Sequence, residues 1–250
     1  MTLLEQSLCL LSGVSPEAEI RLRRGGVLSC HQLADEASRH FSAPHAMRVR
    51  ESFKQFEKAE SIGLAEWFVS HLPAGHRVRA LRCFEDEALY FDIETDGMAR
   101  SSRITCITTI RGRCKRTFIR GRDLDGFLEE WAAAKLLVGF NSKRFDTPMV
   151  CREFGLAAVP AQIDLMDEAA HYGLRGGLKA IEKSIGFTRN TVPCADGADA
   201  VACWRRFRED GDEAALASLV AYNRDDVLSL CHLARYLLRL SLENTSILDN

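Results

Sequence analysis

From about residue 85 to the end of the chain, strand patterns alternate with helix patterns, and this order constrains the fold more than any other feature. It reads as an α/β domain built on one sheet. Ala88-Leu89-Tyr90-Phe91-Asp92-Ile93-Glu94 has strand character and ends in acids. Residues 104–110 are rich in β-branched side chains, and Lys115 to Ile119 follows after Gly112 as a third strand. The period then changes, with Leu124, Phe127, Leu128 and Trp131 on one helical stripe. Lys135 to Phe140 reads as a buried strand, Thr147 to Phe154 as a helix with Pro148 in its first turn, and Ala161 to Leu165 as a short strand. One long helix runs from about Asp212, its N-cap, to Leu240. Its apolar face carries Leu216, Leu219, Val220, Val227, Leu230 and Leu237.

Residues 1 to about 80 differ in texture, reading as short helices with many polar breaks. The expected organisation is a helical N-terminal region, 1–80, and an α/β domain, 85–250. With 46% hydrophobic residues and a net charge of -2, the chain is neither disordered nor basic overall. Its apolar runs are too short to span a bilayer, so no membrane partner is expected. The first residues lack a basic n-region and Glu5 interrupts their apolar stretch, so no signal peptide is expected. The nine cysteines are odd in number and form no Cys-x-x-Cys pair. They read as reduced core thiols of a cytoplasmic protein rather than a zinc site or disulfide framework.

Asp92 and Glu94 are one residue apart on a strand, so their carboxylates share a face, roughly 7 Å apart along the backbone. Phe91 and Ile93 take the other face. Adjacent acids repel and lose hydration, and a divalent cation relieves both costs. A solvated strand end would equally accommodate them. Asp146 follows a buried strand at a strand-to-helix junction, where open α/β sheets place a ligand crevice; capping the helix is the other reading. Tyr222 and Asp226 stand at i and i+4 on the long helix and share a face, as a functional pair or as a solvated polar patch.

Taken together and in this order, Asp92-x-Glu94, Asn141 with Asp146, and Tyr222 with Asp226 resemble the DEDD exonucleases, the DnaQ-like 3′–5′ exonucleases of the ribonuclease-H-like superfamily. The tyrosine four positions before the last acid resembles the DEDDy subtype, and His232, six residues after Asp226, does not fit the DEDDh pattern. Asn141 with Phe145-Asp146-Thr147-Pro148 is also similar to the proofreading domain of B-family DNA polymerases. Ile163-Asp164-Leu165, Gly177 to Lys183 with Gly186 and Arg189, and Gly197-Ala198-Asp199-Ala200 before Trp204 look like the bacterial YprB-like group. The resemblance covers about residues 85 to 240.

The resemblance implies an α/β, ribonuclease-H-like fold, a central mixed sheet flanked by helices. It implies a 3′–5′ exonuclease that hydrolyses phosphodiester bonds of single-stranded DNA or RNA with two Mg²⁺ or Mn²⁺ ions. Asp92 would bridge the ions, Glu94 and Asp226 would complete one ion's site, and Asp146 would hold the second through water. Tyr222 would orient the attacking water. A nucleic-acid-binding scaffold without catalysis and a phosphodiesterase of small nucleotides are the competing activities.

Substrate contacts read less specifically. Thr95-Asp96-Gly97 and Asn141 flank the acids and are candidates for the terminal sugar, although Asn141 equally reads as a turn residue. Arg175-Gly176-Gly177 opens a helix with Lys179 on its first turn, either a phosphate site or an ordinary glycine turn. From Gly97 to Arg122 there are eight basic residues, at 100, 103, 111, 113, 115, 116, 120 and 122, and no acid. This window is either a surface that tracks a nucleic-acid backbone or a charged sheet edge that resists strand association. Under the first reading Arg111 and Arg113, beside the Gly112 turn, are solvated and reach phosphates. Leu11-Ser12-Gly13-Val14-Ser15-Pro16, with Gly25-Gly26-Val27 and Leu33, resembles a helix-hairpin-helix with Ser15 in place of the second glycine; a helical packing module is the alternative.

Overall fold

The structure is a computed structural model describing residues 1–97, 99, 101–187, 189 and 197–245. It divides into two units, Met1–Glu85 with Arg235–Asn250, and Asp86–Ala234. The last residues, expected within the domain at 85–250, group with the N-terminal unit because Arg79 donates to Ser241 Oγ at 2.9 Å and to Thr245 Oγ1 at 2.7 Å.

The first unit carries α1 (Leu3–Gln6), α2 (Pro16–Arg24), α3 (Cys30–His40), α4 (Ala43–Ser61) and α5 (Ala65–His71). The polar breaks of the sequence are caps. Thr2 and Glu5 form a reciprocal capping box, Ser15 accepts from the Ala18 N–H, and Ser29 accepts from the Gln32 N–H. Arg79 and Glu19, both fully buried, meet at 2.9 Å, and Glu19 Oε1 also accepts from the Leu8 N–H at 2.6 Å. Gly13 has φ +82°, and a Cβ there would stand 2.6 Å from His45 Nε2. The turn of the helix-hairpin-helix-like segment is therefore packed under an imidazole, and Ser15 serves as a helix cap.

The second unit is built on β1 (Ala88–Thr95), β2 (Ile104–Arg111), β3 (Cys114–Ile119), β4 (Leu136–Gly139) and β5 (Ala161–Asp164). The sheet order is β3-β2-β1-β4-β5. Pairing is antiparallel from β1 to β2 to β3 and parallel from β1 to β4 to β5. Parallel neighbours require crossovers. α6 (Phe127–Ala133) precedes β4, and α7 (Asp146–Phe154) joins β4 to β5. α8 (Leu165–His171), α9 (Leu178–Ser184), α10 (Gly197–Asp210) and α11 (Glu213–Glu243) follow. Asp212 caps α11 through the Ala215 N–H at 2.9 Å, as its sequence position predicts.

Strand alternation gives the sheet two apolar faces. Phe91 and Ile93 pack with Phe118, Phe127, Trp131 and Val150 beneath α6 and α7. On the other face Cys106 packs with Trp204 of α10 and with Leu216, Leu219 and Tyr222 of α11. Gly139 ends β4 where the chain turns back on itself. A Cβ there would lie 2.5 Å from Ser142 Cβ and 3.5 Å from the Phe91 carbonyl oxygen. Among the described residues no helix is long and apolar enough to cross a membrane.

Candidate active site

Glu94 lies opposite Cys106 in the β1–β2 register, so the strand acids face α11. There Asp92, Glu94 and Asp226 each bring a carboxylate oxygen within 4.8 Å of the others. The β1–β2 register shifts between Glu94 and Thr95, so regular pairing breaks at the acid. Asp146 stands outside the three-oxygen set. It opens α7, is 4% exposed, and its Oδ1 accepts from the Ile93 N–H at 3.2 Å, between the two strand acids.

Burial pushes every member of this group upward, and repulsion within the group adds to it for Asp92, Glu94 and Asp146. The Asp92 carboxyl is held well above the usual range by burial and then by Asp146, Asp226 and Glu94. Glu94 is pushed up to about 8 by burial and then by Asp226 and Asp146, with Lys179 opposing. Asp146 rises to about 7, chiefly through burial, against the Ile93 N–H bond. Asp226 is raised by burial, with Arg189 opposing. Burial, followed by Asp226, Glu94 and Asp92, also raises Tyr222, so its phenol keeps its proton. An all-carboxylate donor set whose members repel one another fits a hard divalent cation. Asp92, Glu94 and Asp226 are the residues that would hold it.

Tyr222, one helical turn before Asp226, is 7% exposed, and the Lys179 ammonium of α9 stands 4.6 Å from its ring centroid. Its neighbour Asn223, singled out by no sequence pattern, is fully buried. The Asn223 Nδ2 donates to Asp92 Oδ2 at 2.8 Å, and its Oδ1 accepts from the Cys106 thiol at 3.4 Å. Burial, with Glu94 and Asp92 nearby, keeps Cys106 protonated, so the S–H fixes the orientation of the amide. Asp164, from the family-like segment Ile163-Asp164-Leu165, also supports the site. It accepts from the backbone N–H of Asn141 at 2.8 Å, Lys143 at 3.2 Å and Met166 at 3.1 Å, pinning the turn that leads to Asp146. Arg189, named in the sequence only as part of a family-like segment and given no role there, pairs with Asp226.

Asn141 has φ +57°, the left-handed conformation that asparagine tolerates, so its backbone has a turn role. The Thr95 hydroxyl donates to the Gly97 carbonyl at 2.7 Å. Arg175 is exposed, just before Gly176 at φ +108°. The basic segment is largely neutralised. Arg103 and Arg120 both reach Glu153, at 3.0 and 2.7 Å, Arg116 reaches Glu129 and Glu130, and Arg122 reaches Glu213. Arg111, expected to be solvated, is instead held at 2.9 Å by Glu130, a buried acid of α6. The window contains no acid, but α6, α7 and α11 bring acids to it. Arg113 is exposed at the turn and forms no ion pair among the described residues, while Lys115 and Arg116 lie on the edge strand β3. Arg100 lies outside the described residues.

Comparison with known proteins adds two findings. The RNase_H_2 model of the RNase_H superfamily matches residues 89–238, a span that includes Asp92, Glu94, Asp146 and Asp226. The family B DNA polymerase of the hyperthermophilic archaeon Pyrobaculum calidifontis is similar in structure, with a TM-score of 0.50 and 21% sequence identity. The similarity covers 63% of this chain and 25% of the polymerase, and it is a likeness of fold. No curated protein matches the sequence.

Proposed function

The chain belongs to the RNase H superfamily and has its fold, a mixed five-stranded sheet flanked by helices, and from that premise we propose that it is a metal-dependent 3′–5′ exonuclease. The reading is a DnaQ-like, DEDDy enzyme of the YprB-like group that shortens single-stranded DNA or RNA in the cytoplasm. The observation that carries it is the convergence of Asp92, Glu94 and Asp226 within 4.8 Å, with Tyr222 on the same helix face as Asp226.

Bound divalent metal supplies the positive charge that stabilises the attacking and leaving oxygens and acidifies a water. The protein's own residues do the rest. Asp92 would be the shared ligand, with its second oxygen aimed by Asn223. Glu94 and Asp226 would complete one ion's site, and Asp146 would help to hold the second. Tyr222, keeping its proton, donates to or accepts from the attacking water and so fixes its direction. Thr95 and Asn141 are assigned to the terminal nucleotide, Arg175 and Lys179 to the next phosphate, and Arg113 to the incoming strand, while Arg111 is tied to Glu130.

The test is incubation of the purified chain with end-labelled DNA and RNA oligonucleotides and Mg²⁺ or Mn²⁺, resolved on a sequencing gel. A 5′-labelled strand should shorten in single-nucleotide steps, and a 3′ label should be released first as a mononucleotide. Internal cuts, or cleavage that persists in excess chelator, would sink the proposal.

A further inference from the structure

One cation of the acid cluster has no role in the assignment above. Arg189 makes two unequal contacts. With Glu182 it forms a fork, Nη2 to Oε1 at 2.7 Å and Nε to Oε2 at 2.8 Å. With Asp226 it has one contact, Nη2 to Oδ1 at 2.5 Å. The fork is the stronger anchor. Only the single contact involves a carboxylate of the three-oxygen set. The Arg189 Nη1 is buried without a hydrogen-bond partner, so the guanidinium is not saturated where it stands.

A carboxylate oxygen committed to a guanidinium does not offer the same lone pair to a metal, and a full positive charge at that distance opposes entry of a divalent cation. In the metal-free protein the same charge offsets repulsion among Asp226, Asp92 and Glu94. We propose that Arg189 is a displaceable counter-ion: it occupies Asp226 when the metal is absent, competes with the divalent cation for that carboxylate, and is kept in the site by Glu182 after exchange. The inference rests on the metal assignment above and adds the residue that sets how tightly the ion is held. Arg189 is thus a positioning residue whose effect is read in metal affinity.

The experiment is calorimetric titration of Mg²⁺ into the metal-stripped full chain without nucleic acid, at a pH of about 9, where carboxyls raised to the Glu94 range are ionised. Arg189→Met and Arg189→Gln should each bind Mg²⁺ about tenfold more tightly than wild type, because a repelling charge beside the ligands is gone. Arg189→Lys keeps the charge and should stay within about threefold of wild type. Arg189→Gln retains a donor for Glu182, so it carries the test if the Met variant does not fold by circular dichroism. Unchanged or weaker Mg²⁺ affinity in the folded variants overturns the exchange and leaves the metal assignment standing. No Mg²⁺ or Mn²⁺ binding by wild type overturns both.

Discussion

In the N-terminal unit, fully buried Arg79 and Glu19 meet at 2.9 Å, and Ser241, Thr245 and the Leu8 N–H take up their remaining hydrogen-bonding capacity. In the unit Asp86–Ala234, the largely buried Asp92, Glu94, Asp146 and Asp226 are set close together, and Arg189 is in direct ionic contact with one of them, Asp226. Both clusters are expensive to bury, but the first is balanced internally and the second is not. The difference separates structure from function. A balanced cluster needs nothing more, whereas an unbalanced one is stable only in proportion to what it binds.

The largest effect should come from Asp92→Asn. It removes a ligand charge and should lower cleavage by ~10³-fold or more, about 4 kcal/mol of barrier. Thermal unfolding of the metal-free variant at high pH should be no easier than that of wild type, because one repelling charge is gone. Near-normal single-turnover cleavage at saturating metal would break the comparison from the functional side. In the other unit, Arg79→Met leaves Glu19 buried without its partner and should cost about 3–5 kcal/mol of stability in denaturant titration. Replacing both partners with apolar residues should recover most of that loss, as expected of a structural pair. Failure of the double variant to recover would mean that the pair does more than satisfy itself.

Tyr222→Phe keeps the ring in the core and removes only the hydroxyl. Single-turnover cleavage should fall by ~10²-fold, about 2.7 kcal/mol, with metal affinity little changed. A wild-type rate would reduce Tyr222 to a packing residue. A smaller effect should appear in pH dependence. Glu94 lies at about 8 in the folded chain against an ordinary 4.5, and Asp146 at about 7 against 3.8. The folded protein therefore binds more protons than the unfolded chain between these limits, and its metal-free stability should fall as pH rises from about 4 to about 8. A fall in melting temperature across that window is expected, with Mg²⁺ restoring stability at the alkaline end. A metal-free melting curve that rises with pH there would contradict the raised carboxyls. The smallest effect is that of Arg113→Glu, which should flatten the slope of log affinity against log salt for a single-stranded oligonucleotide by about 0.7. An unchanged slope would leave Arg113 as a solubility charge.

Much of this was legible in the sequence because it depends on local periodicity. Two-residue alternation placed Asp92 and Glu94 opposite Phe91 and Ile93, and the helical repeat set Tyr222 above Asp226. Asp212 was legible as a cap for the same reason. The missing parts are non-local. Arg122 finds Glu213 across 91 residues, and Arg111 finds Glu130 across 19, so a charge count within one window could not show that the basic segment is neutralised. Asn223 was unremarkable by type and spacing, and Arg189 was visible only as part of a family-like segment without a role, since their roles come from the partners that packing delivers. The grouping of Arg235–Asn250 with the first unit was hidden likewise, because α11 has one continuous helical pattern across that border.

Gly139 extends the lesson to heredity. The codon for an uncharged residue that touches no metal ligand guards the site as closely as the acidic codons do. One added methyl would meet Ser142 at 2.5 Å, and the turn that must yield is the one that delivers Asp146. A Gly139→Ala allele should therefore resemble a loss-of-function allele while leaving every carboxylate in the gene intact, and its severity should track how far that turn can shift.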